Sequence, residues 1–98
     1  MKQGRVAKQV EEATRGILSI DEQIRALTEQ LATWEEMREE LHVRALVSET
    51  PQATSELSGV ARQCDLARAA LAEQRSRKTQ LEQILDDLMI EWEPKVVL

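Results

Sequence analysis

The stretch VAKQVEEATRGILSIDEQIRALTEQLATW, Val6 to Trp34, decides the fold. Its apolar positions are Val6, Val10, Ala13, Ile17, Ile20, Ile24, Leu27, Leu31 and Trp34, alternately four and three residues apart without a break. A strand repeats every two residues and cannot carry that pattern. An α-helix carries it as one apolar stripe, and a strict 3.5-residue repeat is the seam of a coiled coil. Isoleucines fill a positions (Ile17, Ile24) and Leu27 fills a d position. Gly16 costs a helix interior about 1 kcal/mol relative to Ala, and SIDE, Ser19 to Glu22, fits a capping box. A break there is the alternative to one long helix. The phase of the seam does not change through Gly16, which favours continuity.

Working outward, the same frame places Arg38, Leu41 and Ala45 on the seam, so the stripe weakens beyond Trp34, where Met37 can partly substitute. SETPQATSEL, Ser48 to Leu57, is the only turn-like interior stretch. Thr50 before Pro51 is a good N-cap and first-position pair for a new helix. That helix repeats the pattern with Leu57, Val60, Cys64, Ala67, Leu71, Gln74, Lys78, Leu81, Leu85, Leu88 and Trp92. Pro94 should end it, because a proline pushes the preceding residue out of the helical region.

Two helices of this length joined by a short turn fold back on each other. A register that sets Ile17 against Leu81 centres the turn on the turn-like stretch. It also places large residues against small ones: Trp34 against Cys64, Leu31 against Ala67, and Ala13 against Leu85, which suits close packing. The same register sets Ile20 against Lys78 and Ile24 against Gln74, so both isoleucines are expected to be half covered. LEQILDDLMIEW, Leu81 to Trp92, is apolar on a wider face than a two-helix seam needs, and HVRALV, His42 to Val47, is apolar on several sides.

Composition agrees. There is no Phe or Tyr, and Trp34 and Trp92 are the only aromatics, which argues against a β-sandwich or barrel. Apolar residues at 42% are too many for a disordered chain, and 32% charged residues with abundant Ala, Leu, Glu, Gln and Arg are the composition of long helices. The net charge of -5 is shared, with seven basic against ten acidic residues in 1–50 and six against eight in 51–98. Neither half is basic, so no nucleic-acid partner and no membrane partner is expected. The apolar runs are far too short for a membrane span, and the N-terminus lacks the apolar core of a secretory signal. A lone Cys64 cannot form an internal disulfide, and a cytoplasmic location is the expectation.

The chemistry-bearing residues are sparse. Cys64 lies on the seam, where it packs as a small hydrophobe, and His42 reads as a surface residue. One His and one Cys cannot build a zinc site. Glu39 and His42 form a single Glu-x-x-His beside the seam, whereas carboxylate metal sites need several inward-facing ligands. Gly4, Gly16 and Gly59 stand alone, so there is no phosphate loop. No enzyme activity, no catalytic residue, no cofactor, no metal and no small-molecule substrate is expected. Arg75, Arg77 and Lys78 form the one basic cluster, at e, g and a positions, where antiparallel pairing brings Arg75 near Asp21 and Lys78 near Asp21 and Glu22. With no aromatic to stack bases, local pairing is the preferred reading over a nucleic-acid site.

The layout is similar to that of the secreted hundred-residue Trp-x-Gly proteins, but the turn contains no such motif. Helical-hairpin chaperones share only the general shape. The expectation is therefore an all-α fold, one domain over 1–98: helix over about 5–47, turn over about 48–52, helix over about 53–92, tail 93–98. This long antiparallel two-helix coiled-coil hairpin is expected to be completed into a bundle by a homodimer or a helical protein partner. The expected function is a non-enzymatic interaction module (adaptor, assembly factor or chaperone-like subunit) that presents Ile20, Ile24, Ile84, Leu88 and Trp92. A structural oligomerisation or spacer segment is the alternative, and a regulator binding nucleic acid through Arg75, Arg77 and Lys78 is a second one.

Overall fold

A computed structural model describes the backbone of residues 2–92 and the side chains of residues 4–91. It contains two helices, α1 over Lys2–Ser48 and α2 over Pro51–Trp92. The fold is all-α, an antiparallel two-helix hairpin. Both helices extend a few residues beyond the expected bounds at the ends nearest the turn and the N-terminus, and the turn shortens to Glu49 and Thr50. The expected stop at Pro94 and the tail 93–98 lie outside the described residues.

The turn is closed by local chemistry. Glu49 takes a left-handed backbone with φ of 49°, and its N–H donates to the Ala45 carbonyl at 3.0 Å. This is the left-handed cap that ends many helices, normally on glycine. Here a glutamate carries the conformation, with no glycine or asparagine nearby to signal it. Thr50 then caps α2 as expected: its Oγ1 accepts from the Ala53 N–H at 3.2 Å, while Pro51 supplies a preset φ at the first helical position. The Ser48 hydroxyl donates back to the Arg44 carbonyl at 2.8 Å, occupying one of the last carbonyls of α1.

α1 runs through Gly16 and SIDE without a break. Gly16 is there for proximity. A Cβ on it would stand 3.0 Å from Leu81 Cδ1, so α2 lies closer at this level than any larger residue permits without adjustment.

Close contacts group the chain into two compact units. The terminal unit joins Met1–Gln23 with Gln74–Leu98, and the turn unit is Ile24–Glu73. The division falls where α2 reaches Gln74, the first of the two polar seam positions. In the terminal unit Gly16 meets Leu81 and Asp21 meets Lys78, each one position off an expected layer, and α1 numbers rise as α2 numbers fall. The arms are antiparallel in the predicted register. In the turn unit Glu35 meets Arg68, and nearer the turn Leu41 and Arg44 share a groove with Glu56 and Val60. Those arms are antiparallel too.

Burial follows the heptad. Among the described side chains every seam position is buried or half-buried, with Arg38 the exception. In the terminal unit the buried residues are Val6, Ala13 and Ile20, all on α1. In the turn unit they are Leu41 on α1 and Ala53, Cys64, Ala67 and Leu71 on α2. Cys64 and Ala67, the small residues expected opposite Trp34 and Leu31, are buried, and so are the larger Leu41 and Leu71. Cys64, at 0% exposure, is the most enclosed of the described side chains.

Candidate protein-interaction surface

The five residues expected to meet a partner fare differently. Ile20 is buried at 9% exposure, which corrects the expectation that it is half covered. Lys78, set opposite Ile20 by the register, has its Nζ 2.7 Å from Oδ1 of the neighbouring Asp21, and a long basic side chain can shield apolar surface with its stem while its charge stays in water. Ile24 belongs to the turn unit and is half-buried. In the terminal unit Leu88 is half-buried on the seam and Ile84, one turn earlier on α2, is 48% exposed. The Trp92 side chain lies outside the described residues.

Sequence reasoning did not single out Leu18. It follows seam residue Ile17, points away from the seam, and is 62% exposed. Leu18 lines an open groove of about 460 Å³ with Thr14, Ile17, Glu82, Leu85 and Asp86, an apolar floor under two carboxylates. Farther along α2, Met89 and Ile90 are exposed as well, Ile90 at 70%. The turn unit has its own exposed apolar set in Met37, Val43, Leu46, Val47 and Leu66. Four of these lie on the last quarter of α1, and the run HVRALV was the sequence signal for Val43, Leu46 and Val47.

The basic cluster is divided. Lys78 is paired with Asp21, and the Asp21 carboxylate, with a smaller contribution from Glu82, holds the ammonium above its ordinary pKa. Arg75 and Arg77 are exposed and make no ion pair among the described residues, so of the expected approaches to Asp21 that of Lys78 forms an ion pair and that of Arg75 does not. The turn unit has a cross-helix pair of its own. Arg68 donates to Glu35 Oε2 at 2.7 Å and also lies 3.6 Å from Asp65, and the Glu35 hydrogen bond raises the guanidinium pKa. Glu35 and Arg68 both occupy e positions, the pairing that antiparallel helices bring together. Both bridges are half exposed, and solvent screens them.

One polar group is left over. Gln74 Oε1 is buried with no hydrogen-bond partner, an uncompensated acceptor that costs about 1–3 kcal/mol. The threonines are otherwise: Thr28, Thr33 and Thr79 each donate to the carbonyl four residues back.

Glu39 and His42 lie with Glu35 and Arg38 in a shallow cleft of about 410 Å³, whose Glu35 carboxylate is already engaged by Arg68. Among the described residues no group of three or more His, Cys, Asp or Glu side chains is placed to hold a metal ion. No described helix is long and apolar enough to cross a membrane. Comparison with protein families, with curated proteins and with solved structures finds no match to this chain.

Proposed function

We propose that the protein is a non-enzymatic interaction module, an adaptor, assembly factor or chaperone-like subunit that works by helix-on-helix packing. The observation that carries this reading is the large apolar surface outside the seam: Leu18, Ile84 and Ile90 in the terminal unit, and Val43, Leu46 and Val47 in the turn unit. Scattered single exposed hydrophobes are ordinary, but runs of them along a helix mark surfaces that another element covers. Two helices share one narrow seam, and small scaffolds of this kind commonly gain their remaining stability from added helices. An amphipathic partner helix would lay its apolar face along α2 beside Ile84 and Leu88, with anchors at three- and four-residue spacing.

The test is the mass of the assembly isolated from the native extract. Ile24→Asp together with Ile84→Asp should lower that mass while circular dichroism still reports helix. An unchanged mass sinks the proposal. A structural spacer is the competing reading, and it predicts no partner in that isolate.

A further inference from the structure

The last quarter of α1 carries a pattern with a consequence beyond general stickiness. Met37, Glu40, Arg44 and Val47 are spaced three, four and three residues apart, so they share one strip of the helix. All four are exposed, Met37 at 40% and Val47 at 81%. Glu40 and Arg44 stand four residues apart, in the order that favours pairing on a helix, yet neither belongs to an ion pair among the described residues. The strip reads the same in both directions: apolar, charged, oppositely charged, apolar.

We infer that this strip is the interface of a two-fold homodimer, in which Glu40 and Arg44 of one copy meet Arg44 and Glu40 of the other and Met37 meets Val47. Two-fold interfaces require that if one residue contacts another, the reverse contact also forms. Antiparallel crossing of two α1 strips centred on His42 satisfies that for both pairs at once. A partner of different sequence would need no such reversal symmetry.

The adjoining groove fits the same occupant. It holds about 530 Å³ between Glu40 and Arg44 of α1 and Glu56 and Gly59 of α2, over a floor that includes Trp34 and Val60. A Cβ on Gly59 would have nothing within 4 Å, so the α2 wall is open. Glu56 Oε1 accepts from Gln52 Nε2 at 3.3 Å, and Glu56 forms no ion pair among the described residues. An arginine arriving from the second copy therefore finds two carboxylates, Glu40 and Glu56, on the lining of one groove. The groove beside Leu18 has no such symmetry, because its lining carries Glu82 and Asp86 and no cation.

The experiment follows the mass of the purified full-length chain by light scattering across a dilution series. Wild type should dimerise. Glu40→Arg and Arg44→Glu each bring like charges together and should raise the dissociation midpoint about tenfold or more. Both residues are exposed, so helix content should not change. The double variant Glu40→Arg with Arg44→Glu restores opposite charges across the axis and should recover the wild-type midpoint. A wild type that stays monomeric overturns the inference, as do single reversals that leave the midpoint in place or a double variant that stays as weak as either single one.

Discussion

The turn unit and the terminal unit are built from the same heptad, yet they close in different ways. In the turn unit α2 supplies most of the buried side chains, Ala53, Cys64, Ala67 and Leu71, against Leu41 alone on α1. In the terminal unit α2 contributes no buried side chain among the described residues, and the burial falls to Val6, Ala13 and Ile20 of α1. The switch coincides with Gln74 and Lys78, the two polar residues of the α2 seam. A heptad therefore fixes which face meets the other helix, while polar seam positions such as Gln74 and Lys78 mark where the burial passes from one helix to the other. The turn unit, with its fully enclosed Cys64, should be the more stable of the two.

The largest test of that contrast compares two truncations. Trp34→Ala removes the largest side chain of the turn-unit seam and should destabilise by about 3 kcal/mol, while Leu85→Ala in the terminal unit removes less apolar volume and should cost about 1–2 kcal/mol, both side chains being half-buried. Native-state hydrogen exchange would assign each loss to its own unit. A greater loss from Leu85→Ala would reverse the ranking. Next comes the polar residue at the boundary. Gln74→Leu replaces an uncompensated acceptor with an apolar side chain and should stabilise by about 1–2 kcal/mol in urea titration. Any loss of stability would mean that the buried oxygen is satisfied in solution.

The smallest effect concerns pH. Asp21 raises the Lys78 pKa, so the pair contributes at neutral pH and loses that contribution as pH rises beyond the ordinary lysine range and through the raised value. The stability difference between wild type and Asp21→Asn should therefore be present at pH 7 and close in strong alkali. A difference that persists there would show that Asp21 acts through something other than the lysine charge.

Most of the fold was legible because the seam never changes phase. The same positions read from Val6 to Trp34 are the ones buried or half-buried, and Thr50 with Pro51 starts α2 as their chemistry requires. Three features were not legible, each for a physical reason. Ile20 was expected to lack cover because Lys78 counts as polar, although its methylene stem is apolar. Glu49 gave no sign of a left-handed cap, since closure of a two-residue turn imposes that conformation on whichever residue stands there. Leu18 and Ile90 sit off the seam, where a repeat has nothing to say. The candidate surface was partly visible: Ile84 and the run His42 to Val47 announced themselves by excess apolar character.

The enclosure of Cys64 has a kinetic consequence. A thiol with no accessible surface cannot meet an alkylating reagent until the helices around it part. Under excess reagent, its labelling rate then counts opening events of the turn unit directly, one irreversible mark per molecule. Because the chain has a single cysteine, that clock runs without a competing signal. It would tick more slowly whenever a bound partner holds the two helices together.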